Sequence, residues 1–267
     1  SYEILQKIAY KEKELILLRH EKNLGYPAAL NTAIRKSKGE FVAIFDDDDI
    51  NIINRISLQV NKIINYEKRY KDSLILCYSN RDVFKYGSNK VDDVAYAIGR
   101  KSPEPSGIEV AEFLLGFPVN RSKVWGMFGS CTLMVRRKLF TEIGLFDENF
   151  RRTAEWDFAI RAAFYGAHFI AVNKSLIQMH KSPGSDKAGL IPLIYSLKLR
   201  EKYKTFLQSR GFYRASKLIA KSNFYMNKKK RILGITFRFL ALLISPKLLI
   251  NFLINKFSRL SWLISKK

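Results

Sequence analysis

The sequence predicts an α/β fold: a mostly parallel sheet flanked by helices, followed by a basic helical region. Three observations carry this. Short apolar runs alternate with segments of helical periodicity over residues 1–190, the pattern of strand–helix units. Apolar residues make up 47% of the chain, enough to bury a core and to exclude a disordered chain. Charge then separates: of the formal net charge of +23, residues 195–267 carry +17 and hold a single acid, Glu201. The chain therefore divides into an ordinary globular domain, 1–190, and a basic amphipathic helical tail, 191–267.

Residues 2–9 set Ile4, Leu5 and Ile8 at helical spacing. Residues 14–19 (ELILLR) are a short apolar run and read as a buried strand. Residues 26–36 form a helix with Ala29, Leu30, Ala33 and Ile34 inward, closed by Gly39. Residues 41–45 (FVAIF) are too short for a helix and read as a strand. A helix over 52–66 and a strand over 73–78 (SLILCY) follow. Residues 80–125 are less regular, and 101–107 (KSPEPSG) form a loop. A strand over 131–135, a helix over 136–143 stopped by Gly144, a helix over 155–165 stopped by Gly166, and a strand over 168–172 complete the domain. Everything from 191 onward is helical. Residues 232–254 are the most apolar stretch, but Arg238, Pro246 and Lys247 interrupt them, so they read as a helix pair on a surface and not a membrane span. Residues 1–9 lack the apolar stretch of a secretory signal. The only cysteines, Cys77 and Cys131, make neither a disulfide framework nor a zinc site, and a reducing compartment follows.

The chemistry concentrates at two acidic clusters. Phe45 is followed by Asp46, Asp47, Asp48 and Asp49. Four adjacent carboxylates repel one another, and a strand ending in such a turn calls for a cation. Residues two apart share a face while the chain is extended, so Asp46 and Asp48 can act together. Carboxylates with water and phosphate oxygens are the ligands Mg2+ or Mn2+ takes, and ligands of open α/β sheets bind beyond the carboxyl ends of strands. A helix N-terminus would need one such acid, not four.

Asn23-Leu-Gly25, Asn31, Lys38-Gly39-Glu40, the run from Ile44 to Asp49, then Arg55 and Gln59, in that order, resemble the core of glycosyltransferase family 2. The resemblance implies the GT-A-like, Rossmann-like sheet and an inverting, metal-dependent transfer of a sugar from a nucleotide donor. It places Asp46 and Asp47 at the nucleotide-sugar, Asp46 and Asp48 at the metal, and Asn23, Gly25 and Asn31 in the nucleotide pocket. Asn23 and Gly25 read equally well as a strand-to-helix turn. The family often carries Arg before the position of Asn31, where it meets donor phosphate; here that residue is Leu30. The family domain opens with a strand, helix and strand, and residues 1–5 resemble the helix after that opening, so about 30 residues are expected to precede them.

The second cluster, Ala154-Glu-Trp-Asp-Phe-Ala-Ile-Arg161 after Gly144-Leu-Phe-Asp-Glu148, also resembles the family, where an acid opening this helix deprotonates the acceptor hydroxyl. Inverting transfer needs a base opposite the leaving group, so such a carboxylate must return in space to the acidic turn. Asp157 and Arg161 stand i and i+4, an ordinary helix ion pair, whereas Glu155 has no such partner. Glu155 is thus the first candidate base and Asp157 the second. Gly129-Ser130-Cys131-Thr132 with Arg136 and Arg137 resembles the stretch near donor sugar and acceptor. His180, in Met179-His-Lys-Ser-Pro-Gly-Ser185, matches a loop histidine that closes on the donor, and is a candidate metal ligand; otherwise it is a loop histidine with no partner.

The expected partners are a nucleotide-sugar donor, a UDP-sugar first, and a glycan or lipid-linked acceptor. The tail interleaves aromatic with basic residues, which suits an anionic membrane surface and places the protein in the cytoplasm, peripheral on the inner face of the membrane. Two rival readings are a non-catalytic scaffold that keeps the fold, and a basic nucleic-acid-binding protein, for which no motif is present.

Overall fold

The computed structural model describes residues 2–245 apart from 86, 88 and 181–188. Its elements run α1 (Tyr2–Lys11), α2 (Tyr26–Lys36), β1 (Phe41–Ala43), β2 (Asp49–Asn51), α3 (Arg55–Glu67), β3 (Ile75–Phe84), β4 (Val91–Ala95), α4 (Ile108–Leu115), β5 (Met134–Arg136), α5 (Lys138–Ile143), α6 (Ala154–Phe164), β6 (His168–His180), α7 (Ile191–Lys202), α8 (Lys204–Ser209), α9 (Tyr213–Asn227) and α10 (Arg231–Ile244).

The strands form one sheet in the order β1-β5-β3-β6-β2, with β4 on β3. This is the mixed α/β architecture expected, with one correction. The sheet is not mostly parallel: β3 with β6 is the one parallel pair, and the β1–β5, β3–β5, β3–β4 and β2–β6 pairs are antiparallel. Strand–helix alternation sets the class but not the neighbours. Here β1 and β2, close in sequence, occupy opposite ends of the strand order, whereas the parallel pair is joined by the long crossover through α4, α5 and α6, as parallel neighbours require.

A second correction concerns residues 14–19. They form no strand and lie largely exposed, Ile16 at 59%. An apolar run becomes a strand only when a ladder partner satisfies its backbone, and none meets it among the described residues. In α1 no residue is buried either.

The boundary at 190/191 does not separate two cores. Leu199, Tyr203, Leu207, Phe212 and Ile219 of the helical region share one apolar cluster with Leu76 and Phe169 of the sheet and Phe158 of α6. Charge is shared as well: Lys202 meets Asp147 at 2.7 Å and Arg210 meets Glu112 at 2.6 Å. Part of the basic excess thus neutralises acids of the first domain. Arg200 is buried without a carboxylate, its guanidinium donating to the carbonyls of Ser196 and Ser216, which ties α7 to α9.

Candidate active site

The acidic turn joins β1 to β2, and buried polar groups fix its position. The Arg55 guanidinium donates to the Ile44 carbonyl (2.9 Å), to Asn51 Oδ1 (2.5 Å) and to Gln59 Oε1 (2.9 Å), and lies over the Phe45 ring. Gln59 donates onward to the carbonyls of Thr132 (2.8 Å) and Cys77 (3.1 Å). Both side chains are buried. Arg55 and Gln59 therefore hold the strand end before the turn against the 129–133 segment.

Within the turn the four aspartates are not equivalent. Asp47 and Asp48 are exposed; Asp46 and Asp49 turn inward. Ligand atoms of Asp46, Asp49 and Cys131 all lie within 4.8 Å of one another. Burial raises the Asp46 carboxyl above its usual range, the Tyr26 hydrogen bond opposes this, and the Asp48 charge adds to the rise. Asp49 is raised as well, mainly by burial, and its Oδ2 is buried without a hydrogen-bond partner. An orphaned carboxylate oxygen beside a second carboxylate is a donor set for a hard divalent cation. Cys131 fits such an ion less well: burial pushes its thiol up to about 12, and Arg81 Nη1 donates to its sulfur at 3.1 Å. Of the expected metal pair, Asp46 turns inward and Asp48 stays exposed, and Asp49 joins Asp46 among the inward-facing groups. The turn does not stay extended, since Asp49 N donates to Asp46 O at 3.3 Å, so the period-two argument fails there. The last rung of β2 on β6 joins Asp49 to Met179, and His180, the last residue of β6, follows it. The His180 ring stacks on Phe84 at 4.8 Å.

Tyr26 and Arg81 complete the centre, and the sequence reading singled out neither. The Tyr26 hydroxyl lies 3.1 Å from Asp46 Oδ1 and 3.0 Å from Ser130 Oγ. With one proton, it donates to the carboxylate and accepts from the serine. Arg81, on β3, acts electrostatically on Asp46, Asp49, Cys131 and Glu155, so it is the central cation of the site. A basic residue at the end of an otherwise apolar strand was the available signal, but β3 runs to Phe84, well past the expected end at 78.

The two acids of α6 separate completely. Asp157 is fully buried: Arg161 Nε lies 2.9 Å from Oδ2, while Lys202 Nζ at 2.6 Å and the Tyr203 hydroxyl at 2.8 Å meet Oδ1. Arg161 also donates to the Ile143 and Leu145 carbonyls, each at 2.6 Å. Asp157 has no oxygen free for a substrate, so it is corrected from alternative base to structural anchor. Glu155 points elsewhere. Burial raises its carboxyl, Arg152 and Arg81 oppose this, and Asp46 adds to it. The charges of Glu155 and Asp46, 109 positions apart in the chain, thus act on one another.

Asn31 is a further correction. It is buried, and its amide is fully committed: Nδ2 donates to the Phe146 carbonyl (2.9 Å) and Glu148 Oε1 (2.8 Å), and Oδ1 accepts from Phe146 N (3.0 Å). It ties α2 to the segment that leads into α6 and does not face a ligand. Asn23 Oδ1 accepts from Gly25 N at 2.9 Å, closing a turn at the start of α2. Gly25 adopts φ 93, and Arg151 would stand 3.5 Å from a Cβ added there. Gly25→Ala should therefore cost about 1 kcal/mol in unfolding free energy through backbone strain, measurable by urea denaturation. Leu30 packs on the core, and Arg35 is spent on Glu148 at 4.0 Å. The basic side chain that passes beside Gly25 is that of Arg151, its stem nearest. Arg136 and Arg137 stand outside the site: Arg136 forks onto Glu67 at 2.5 and 2.6 Å, and Arg137 binds the Gly39 carbonyl at 3.0 Å.

Comparison with known proteins gives the family. The model of "Glycosyl transferase family 2" matches residues 1–143. An uncharacterised glycosyltransferase of Rickettsia typhi is 27% identical over 152 residues, 57% of this chain and 43% of its own length. The amylovoran biosynthesis glycosyltransferase AmsB of Erwinia amylovora is 24% identical over 213 residues, 79% of this chain and 65% of its own. The UDP-Glc:alpha-D-GlcNAc-diphosphoundecaprenol beta-1,3-glucosyltransferase WfgD of Escherichia coli is 27% identical over 81 residues, 30% of each chain. The chain thus spans about half or less of the length of the first curated relatives it matches. With the family model covering more than half of the chain, over the segment that builds the acidic turn, the chain belongs to glycosyltransferase family 2.

Proposed function

We propose that this chain carries the catalytic centre of an inverting glycosyltransferase that moves a sugar from a UDP-sugar to a hydroxyl of a lipid-linked or cell-surface glycan. The observation that carries the reading is the electrostatic proximity of Glu155 to the Asp46 turn, with Arg81 acting on both. Glu155 takes the proton of the acceptor hydroxyl as that oxygen attacks the anomeric carbon, opposite the departing nucleotide. Asp46 and Asp49, with Asp48 and His180 at the outer edge, would hold Mg2+ or Mn2+, which supplies charge to offset the departing diphosphate. Tyr26 and Ser130 orient Asp46, and Asn23, Gly25 and Arg151 line the side where the nucleotide enters. The names of the Escherichia coli and Erwinia relatives support the donor class and the polymer-building context.

Calorimetry with UDP tests the donor half. Binding should require Mn2+ or Mg2+. Asp46→Asn should weaken it by at least the roughly 10-fold that loss of even an outer-shell partner costs a metal site. Equal affinity with and without metal, or an Asp46→Asn variant that binds as wild type, would remove the metal from the reading. Arg151→Ala should lower UDP affinity severalfold without altering stability, because the side chain is exposed.

A further inference from the structure

We propose that the outward face of α10, with the basic run at its start, is a docking surface for an anionic phospholipid bilayer. The rotation of α10 is fixed by α9. Gly234 faces it so closely that an added Cβ would come within 2.6 Å of the Met226 side chain. Ser222 Oγ donates to the Gly234 carbonyl at 2.8 Å, Phe237 stacks on Tyr225 at 5.5 Å, and Ala241 is buried. The opposite side is therefore held outward. It carries Ile232, Ile235, Phe239 and Leu243, spaced three or four apart and exposed at 83%, 62%, 58% and 61%. Leu233, Leu240 and Ile244 widen it. Beyond its first residue, the only charged side chain of α10 is Arg238, which turns to α9 and donates to Asn223 Oδ1 at 2.8 Å.

Charge names the partner. Lys228, Lys229, Lys230 and Arg231 are exposed at the start of the helix, and none meets a carboxylate among the described residues. Lys202, Arg210 and Lys217 of the preceding helices do. An apolar stripe with cations at its border suits acyl chains beneath phosphate headgroups. Nucleic acid would find no partner for a face of Ile, Leu and Phe. The chain's own residues 246–267 would bring five more cations and no acid against the basic run, and a second copy would set two such runs together. At 14 residues α10 is about 21 Å long, short of the roughly 30 Å hydrocarbon layer, so it lies in the interface and does not span it. The inference does not depend on the transfer chemistry.

The test is co-sedimentation of the full chain with vesicles of phosphatidylcholine plus phosphatidylglycerol, and of phosphatidylcholine alone. The mixed vesicles should bind the protein and the neutral ones should bind it at least tenfold less. Ile235→Asp with Phe239→Asp, and separately Lys228→Glu with Lys229→Glu and Lys230→Glu, should each weaken binding at least tenfold. Each cation near the surface accounts for about fivefold, and added salt should weaken the wild type. Thermal midpoints should stay at the wild-type value, because these side chains are exposed; Ile235→Ser with Phe239→Ser serves if the aspartates unfold the chain. Wild-type vesicle binding by the apolar variants would overturn the proposal. So would retention on DNA or RNA with no vesicle binding. A midpoint lowered by several degrees, or a changed molecular mass, with vesicle binding intact would assign the face to residues 246–267 or to a second copy.

Discussion

Replacing Glu155 with Gln should leave UDP affinity close to wild type and cut sugar transfer by roughly 10²-fold or more, the scale on which a positioned general base acts. The base works in the transfer step, so the loss belongs in kcat and not in donor binding. The pH profile gives a second readout. Burial lifts the Glu155 carboxyl above the usual glutamate range. The reactive form is the carboxylate, so wild-type transfer should fall as pH drops through that raised value, at a higher pH than an exposed glutamate would give. Glu155→Gln should lose this acid limb together with the rate. Normal transfer by the variant, or an acid limb that survives the substitution, would move the base to another group.

The largest stability effect should come from Asp157. Asp157→Asn removes the one anion that Arg161, Lys202 and Tyr203 share, and places an amide NH2 against groups that are themselves donors. Truncating a buried pair costs about 3–5 kcal/mol. Arg161 keeps its two carbonyl acceptors, and Lys202 its bond to Asp147, so roughly 2–3 kcal/mol is expected here by the same reasoning. That is well above the few tenths of an isolated helix pair, because three donors converge on one buried carboxylate. A chain of this size should melt about 4–12 °C lower, with transfer per folded molecule retained. A folded Asp157→Asn variant that binds UDP but transfers nothing would reverse the roles of the two acids.

Much of the site was legible because its signals are local. Four successive aspartates after a strand can only be a place of concentrated negative charge, whatever the fold. The offsets of Glu155 and Asp157 from Arg161 separated the two acids before any coordinates, and the structure keeps that separation. Other residues were misread for identifiable reasons. Asn31 lay in a motif that resembles a nucleotide site, yet its partner is a backbone carbonyl 115 positions later, which no spacing reports. Asp49 was missed because the two-residue period holds only in extended chain, and the turn closes between Asp46 and Asp49. Arg81 was hidden because the end of β3 depends on pairing with β4 and β6, not on its own composition.

The sequence by itself determined the α/β class, most of the longer helices, the acidic turn, the carboxylate helix and the segregation of positive charge, since each is written in period, composition or adjacent residues. The tertiary structure decided which strands are neighbours, which of four aspartates face inward, that α7, α8 and α9 share the core of the sheet, and that one face of α10 has no partner among the described residues. Those outcomes depend on contacts between residues far apart in the chain, where burial and pairing with a distant backbone or charge outweigh any local preference.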